Sequence, residues 1–142
     1  MKEYTYELLR TLLAIGIDPK KVTIFKQSDV PAHTELAWIF DCLVTVKFLE
    51  LGHAYKDKVA KGIEATAGLF NYPMLMAADI LLYKSAGVPV GKDQLQHLEI
   101  TRDVASRFNH QMGETFVIPE AKIQEDSMLI PGTNGGKMSR SE

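Results

Sequence analysis

The sequence predicts an α/β fold in which helices cover a layered sheet, most simply a parallel one with right-handed crossovers. Short β-branched and aromatic runs, typical of buried strands, alternate with longer segments of helical periodicity. The 142 residues are 46% hydrophobic and 24% charged, which is the composition and length of one globular domain with its own core. Internal repeats and long linkers are absent from the sequence.

The first two predicted elements are a helix and a strand. Residues 3–18 place Leu8 and Leu12 at helical spacing, and Gly16 is a plausible C-terminal stop. The run VTIFK at 22–26 is short, β-branched and aromatic, which predicts a buried strand.

The next predicted helix is apolar around most of its circumference. Pro31 and Thr34 can open it, and its body covers residues 35–51. A helix of this kind needs cover on more than one side. Residues 53–71, which contain several lysines and two glycines, predict short helices in a mobile connection.

A further helix is predicted to start near Tyr72. Asn71 can cap it, and Pro73 in its first turn lacks an N–H that would be unpaired there in any case. This segment, YPMLMAADILLY, leads through a turn to VPVG at 88–91, which is predicted as a buried strand end.

The last third of the chain returns to helical spacing after Asp93, a natural N-cap. Strand candidates follow at 115–119 and 128–130, and the chain ends in the glycine-rich stretch PGTNGGKMSRSE. In parallel sheets, ligands bind at the carboxyl ends of strands, where loops lead into helix N-termini. VPVGKDQ and the C-terminal stretch fit that description.

Composition excludes several classes of function. The net charge is −2 with both signs interspersed, so no nucleic-acid or membrane surface is indicated. One cysteine, Cys42, fits a reducing compartment and is expected to be a small core residue. No stretch approaches the ~18 apolar residues of a membrane span, and the N-terminus lacks the apolar core of a signal peptide. We therefore expect a cytoplasmic protein. The histidines show no metal-ligand spacing, and no metal site is predicted.

Asp79 is an acid within an otherwise apolar segment. On a helix of ~3.6 residues per turn, it shares one face with Tyr72, Met76 and Tyr83. A lone carboxylate there is costly unless it is paired. The face could line a ligand pocket, or Asp79 could pair with a basic core residue while the other three side chains pack. The segment alone favours the second interpretation.

Two other stretches are candidates for ligand contacts. Gly91 would allow close backbone approach, and Asp93 and Gln94 lie at a helix N-terminus. The stretch alone favours the alternative, an ordinary cap with glycine in a tight turn. In GGKMSRS, Lys137 and Arg140 lie three residues apart after glycines, an arrangement that can wrap an anion. The alternative for this stretch is a solvated basic loop.

The string KMSRS resembles the KMSKS signature of class I aminoacyl-tRNA synthetases, with Arg140 at its second lysine. Together with YPMLMAADILLY and VPVGKDQLQHLEITRDVASRFN, it makes the whole chain similar to the bacterial tryptophanyl-tRNA synthetases. LLAIGIDP at 12–19 and QSDVPAH at 27–33 belong to the match as well. The resemblance implies a Rossmann-like catalytic domain, helix-rich with a short parallel sheet, of which residues 1–142 are a part ending at the KMSKS-like loop.

The resemblance also implies roles in tryptophan binding. Asp79 matches the acid that accepts the indole N–H, so its expected partner is the substrate rather than another side chain. Met76 would pack on the indole ring, and Tyr72 and Gln94 would hold the α-amino group. Tyrosyl-tRNA synthetase, the sibling family, has Gln at the position of Met76, and HLEITRDVASRFN matches only the tryptophan enzymes.

A nucleotide site is implied in the same way. Gly91 and Asp93 fall where the family contacts the ATP ribose region. Lys58 matches a phosphate-contacting lysine, and the remaining phosphate contacts would come from the signature residues Lys137, Met138, Ser139 and Arg140. ATP is then a substrate, Mg²⁺ is expected with it, and tRNA(Trp) is the partner of the full-length enzyme.

One feature of the family is missing from this sequence. The HIGH-type motif of class I enzymes does not occur in it, and PAHTEL at 31–36 is interpreted as a similar string of no catalytic meaning. We therefore expect either a fragment that is inactive alone, or a truncated binding or dimerisation module that keeps its ligand-facing residues. The family resemblance and the apolar helix at 35–51 predict a homodimer, with Trp38, Phe40 and Phe48 in the interface or the core beneath it.

Overall fold

The computed structural model describes residues 2–123, which divide into two compact units, the first ending at Pro31 and the second beginning at Ala32. The first unit contains α1 (Lys2–Ala14), which ends as predicted. Gly16 has a φ of +98°, and its N–H donates to the carbonyl of Leu13 at 3.1 Å. A glycine adopts this left-handed conformation without steric cost, so it closes the helix.

The predicted strand at 22–26 is wrong, because the structure has an irregular segment there. Val22 and Phe25 are 48% and 46% exposed, and no strand within residues 2–123 pairs with the segment. β-branched and aromatic residues favour a strand only where a neighbouring strand and a packed face are present.

The second unit is built from five α-helices and one parallel strand pair within the described residues. The strands align Gly87 with Glu120, so the predicted fold class, a helix-rich α/β arrangement with a short parallel sheet, is confirmed. The elements in chain order are α2 (Ala32–Leu43), α3 (Val46–Leu49), α4 (His53–Ala60), α5 (Ala67–Leu81), β1 (Gly87–Pro89), α6 (Leu95–Met112) and β2 (Glu120–Lys122).

Three helix boundaries differ from the prediction. The apolar stretch 35–51 is broken before Thr45, whose hydroxyl accepts from the N–H of Phe48 at 3.2 Å and starts α3. The hydroxyl of Thr66 caps α5 in the same way, so Pro73 lies inside the helix rather than in its first turn. Threonine is one of the preferred N-cap residues, which explains why α3 and α5 start where they do.

The start of α6 also differs. A 3-10 turn, Lys92–Gln94, comes before the helix, and Gln94 rather than Asp93 is its N-cap residue. The prediction of Asp93 as the N-cap is therefore wrong.

The strand predicted at 115–119 lies slightly too early in the chain, since β2 begins at Glu120. Asn109 explains the difference. Its side-chain amide donates to the carbonyl of Phe116 at 2.8 Å, and its carbonyl oxygen accepts from the N–H groups of Thr115 and Phe116 at 3.0 and 2.9 Å. These bonds occupy the backbone groups that a strand would need for pairing. The candidate strand at 128–130 lies outside the described residues.

The core of the second unit lies where α2, α5 and α6 pack together. β2 lies beside α6 and pairs with β1, and α5 packs against both α2 and α6. The largest fully buried side chains on the three helices are Phe40, Met74, Leu81, Leu98, Thr101 and Val104. Among residues 2–123, no helix is long and apolar enough to cross a bilayer.

Candidate functional site

The face of α5 that was predicted to line a pocket is half-buried. Tyr72, Met76 and Asp79 lie along it, whereas Met74 and Ala78 point into the core. A spacing of four and then three residues keeps the first three side chains on one side of the helix. Tyr83 follows the end of α5 in a turn and is exposed.

Asp79 has a side-chain partner. Its Oδ1 lies 2.6 Å from Nδ1 of His33, near the start of α2. The expectation that Asp79 pairs with substrate rather than with another side chain is therefore wrong as stated. The acid is not isolated in an apolar interior either, because 39% of its side chain is exposed.

His33 also contacts the tyrosine after α5. Its Nε2 lies 2.8 Å from the hydroxyl oxygen of Tyr83, and the two ring centroids are 5.4 Å apart. His33 therefore bridges Asp79 and Tyr83, and it ties the start of α2 to the C-terminal half of α5. A carboxylate accepts hydrogen bonds at both oxygens, so the bond from His33 does not exhaust the capacity of Asp79.

A second histidine supports the other end of the α5 face. The hydroxyl oxygen of Tyr72 lies 2.7 Å from Nε2 of His97 on α6, with the rings in edge contact at 5.2 Å. Burial raises the pKa of the Tyr72 hydroxyl above its ordinary value, so the group stays protonated at neutral pH. The bond fixes the Tyr72 end of α5 against the first turn of α6.

The remaining residues of the predicted tryptophan and ribose sites gather near that turn. Gln94 is half-buried and lies three residues before His97, so it is near the same end of α6. Gly91 precedes the 3-10 turn with φ −72° and ψ 161°, an extended conformation that other residues also adopt. Asp93 falls within the turn.

Lys58 lies on a separate helix, α4, and is exposed. The segment predicted as a mobile connection contains this two-turn helix, and Gln96 of α6 holds its start. The Gln96 carbonyl oxygen accepts from the N–H of His53 at 3.2 Å, and its amide donates to the carbonyl of Leu51 at 2.9 Å. Lys58 therefore belongs to a helix attached to the same α6 that carries His97.

The other predicted phosphate-binding residues, those of the signature, lie outside the described part of the chain. This applies to Lys137, Met138, Ser139 and Arg140. Their assignment rests on the sequence.

The sequence interpretation missed His33 and His97. The sequence interpretation considers the histidines only as metal ligands, and it assigns no catalytic meaning to PAHTEL at 31–36. A usable signal was present, because a histidine early in an apolar helix needs a hydrogen-bond partner when it is buried. The sequence also indicates that Asp79 needs a partner. However, His33 and Asp79 are 46 residues apart, and spacing along the chain does not indicate contacts between residues so far apart.

Comparison with known proteins gives a match over the whole chain. The family model described as tRNA synthetases class I (W and Y) matches residues 1–142. A curated tryptophan–tRNA ligase of Fusobacterium nucleatum is 58% identical over 142 residues, covering 99% of this chain and 44% of the relative. The corresponding ligase of Rhodopirellula baltica is 51% identical over 141 residues, with the same coverage. The chain thus spans less than half the length of these relatives.

Solved structures give the same match. A tryptophanyl-tRNA synthetase from Campylobacter jejuni, complexed with ADP and tryptophan, superposes with a TM-score of 0.80 at 53% identity, covering 91% of this chain and 40% of that one. The enzyme from Mycoplasma pneumoniae superposes with a TM-score of 0.88 at 35% identity, covering 99% of this chain and 43% of that one.

Proposed function

Since the chain belongs to the class I tRNA synthetase family of the tryptophan and tyrosine enzymes, we propose that it acts as part of a tryptophan–tRNA ligase. Within that enzyme it would bind tryptophan and ATP for formation of tryptophanyl-adenylate, before transfer to tRNA(Trp). One observation carries the proposal: the half-buried face of α5 bears Tyr72, Met76 and Asp79 in a chain that matches tryptophan enzymes along 99% of its length.

The α5 face supplies the chemistry for an indole ring. Asp79 would accept the indole N–H, and the thioether side chain of Met76 suits an apolar aromatic surface. Tyr72, at the other end of the face, and Gln94, at the start of α6, would hold the α-amino group. Met76 also favours tryptophan over tyrosine, because an apolar side chain suits a larger ring with a single donor.

The nucleotide would bind through α4, the segment that follows β1 and the signature. Gly91 and Asp93 would contact the ribose region, and Lys58, Lys137 and Arg140 the phosphates. Arg140 keeps the charge of the usual lysine and adds a planar fork that can grip a phosphate with two hydrogen bonds. Mg²⁺ would enter with the ATP as part of the substrate. The C. jejuni structure, described as a complex with ADP and tryptophan, supports this pair of ligands.

No protein nucleophile is needed for the activation step. The tryptophan carboxylate attacks the α-phosphate of ATP, and pyrophosphate leaves. The protein has to align the two substrates and place cations where charge develops on the departing pyrophosphate. Lys58, Lys137 and Arg140 would supply those cations, and the face of α5 would hold the attacking amino acid.

We expect tryptophan affinity to fall by about 1.5–3 kcal/mol when Asp79→Asn removes the charged acceptor, the usual worth of a hydrogen bond to a charged group. The test uses a chimaera, defined as the F. nucleatum ligase in which these 142 residues replace the matching segment. Tryptophan binding is measured by titration calorimetry. Asp103→Asn, the same change at an exposed position of α6, is the matched control and should bind normally. If the two variants bind tryptophan with equal affinity, the assignment of Asp79 to the tryptophan site is wrong.

We also propose a cytoplasmic homodimer that uses the outer face of α2. Trp38 is 69% exposed, and Ile39 and Cys42 beside it are exposed as well, whereas the other interface candidates, Phe40 and Phe48, are buried in the core. An exposed apolar face of this kind is typical of an interaction surface, and a two-fold dimer is the commonest assembly.

Trp38→Glu is expected to convert the chimaera from a dimer to a monomer at low micromolar concentration, because it places a charge in an apolar contact. Sedimentation velocity gives the molecular mass. Met112→Glu, a similar change at an exposed apolar residue near the end of α6, should leave the dimer intact. A Trp38→Glu variant that sediments as a dimer would contradict the assignment of this face.

A further inference from the structure

His33 contacts the proposed indole acceptor from the core side. It is the second residue of α2 and is 3% exposed, whereas 39% of the Asp79 side chain is exposed. The carboxylate thus has a buried ring on one side and reaches the surface on another. A ligand that binds Asp79 at its exposed side would meet a carboxylate already held from behind.

The contacts of His33 determine the position of one proton. An ionised carboxylate only accepts hydrogen bonds, so at 2.6 Å Nδ1 of His33 carries the proton and donates to Asp79 Oδ1. Nε2 then accepts from the hydroxyl of Tyr83.

The two contacts also fix the ring. His33 is held at both nitrogens and lies in the close-packed junction between α2 and α5. An imidazole held in this way cannot turn about its side-chain bonds without breaking one of the contacts. The donor that faces Asp79 is therefore fixed in direction, and it restricts where the bonded oxygen, Oδ1, can lie.

We propose that His33 is a positioning residue for amino-acid selection. By donating from Nδ1 it orients the Asp79 carboxylate so that it can accept an indole N–H. The inference rests on the proposed function of Asp79, and it adds a residue that does not itself touch the substrate. Its effect should appear only with ligands that offer a ring N–H, because a ligand without that donor gains nothing from an oriented acceptor.

Two amide substitutions separate positioning from packing. Asn carries an N–H donor near the place of the histidine Nδ1, whereas Gln places its donor near Nε2. Both are neutral and polar, so they form a matched pair. The readout in the chimaera is kcat/KM in pyrophosphate exchange for tryptophan, divided by that for an analogue in which sulfur replaces the ring N–H.

We expect His33→Asn to keep most of this preference for tryptophan. His33→Gln should lower the preference by about tenfold. The fall should come from a lower kcat/KM for tryptophan, and kcat/KM for the analogue should change little. If the Asn and Gln variants keep the same preference for tryptophan, the role of His33 is overturned. The same follows if kcat/KM falls equally for tryptophan and the analogue. Neither result affects the role of Asp79. No preference in the unsubstituted chimaera overturns both proposals.

Tyr83→Phe is the second variant, in case the Gln variant does not fold. Tyr83 is half-exposed, so the loss of its hydroxyl is easily tolerated. The change removes the Tyr83 contact of the His33 Nε2 but leaves the bond to Asp79 possible, and we expect a smaller loss of preference, about threefold. An unchanged preference in this variant also contradicts the proposal. Thermal unfolding of each variant confirms that a folded protein is compared.

Discussion

These 142 residues alone are expected to give negligible tryptophan-dependent exchange of pyrophosphate into ATP, whereas the chimaera with the F. nucleatum ligase exchanges robustly. The sequence contains no HIGH-type motif and spans 44% of that relative. Aligning two reactants can lower a barrier by roughly 7–11 kcal/mol. Loss of half the positioning surface should therefore lower the rate by at least about a thousandfold, even where binding survives.

The measurement is incorporation of radiolabelled pyrophosphate into ATP, with and without tryptophan. Circular dichroism and thermal unfolding of the isolated chain serve as controls, so that inactivity is not confused with loss of structure. Robust exchange by the 142 residues alone would mean that alignment comes from groups other than those proposed.

Lys137→Ala in the chimaera is expected to lower the exchange rate by about 10²–10³-fold, the usual effect of removing one group that stabilises charge in a transition state. Lys137 is the first residue of the KMSRS signature and would meet charge as it develops on the departing pyrophosphate. The loss should fall mainly on kcat, because such an interaction is stronger in the transition state than in the bound ground state.

Two matched variants test this assignment. Lys20→Ala makes the same change at an exposed lysine of the first unit and should leave the rate unchanged. Arg140→Lys restores the second lysine of the signature and keeps the charge but loses the planar fork, so it should lower the rate far less than Lys137→Ala does. Equal rates for Lys137→Ala and Lys20→Ala would show that the signature does not act on the phosphates in this protein.

The sequence predicted the fold class well and individual boundaries less well. Helical periodicity found the helices because a core-facing stripe repeats with the turn of the helix, as in α6. Pairing between strands is not visible in local sequence, so 22–26 was predicted as a strand although no partner is present within the described residues. The predicted start of α5 was too late in the chain, because Pro73 was assigned to the first turn, where proline is common in helices. Thr66 caps the helix instead, and Pro73 lies inside it.

The candidate site was predictable where its residues share one element. Tyr72, Met76 and Asp79 lie on one helix, so their common face follows from the helical repeat. The contacts of His33 with Asp79 and of His97 with Tyr72 join different helices. The spacing of these residues along the chain does not indicate that they are in contact. A half-buried carboxylate such as Asp79 and a buried histidine such as His33 each need a hydrogen-bond partner, but only the packing of α2, α5 and α6 determines which residues meet.

The measurement that tests the proposed function most directly is a comparison of tryptophan and tyrosine as substrates of the chimaera in pyrophosphate exchange. The α5 face, with Met76 and an acceptor for a single ring donor, predicts that tryptophan supports exchange and that kcat/KM for tyrosine is lower by about a hundredfold or more. Exchange supported equally by the two amino acids, or by tyrosine alone, would contradict the assignment of this chain to tryptophan activation.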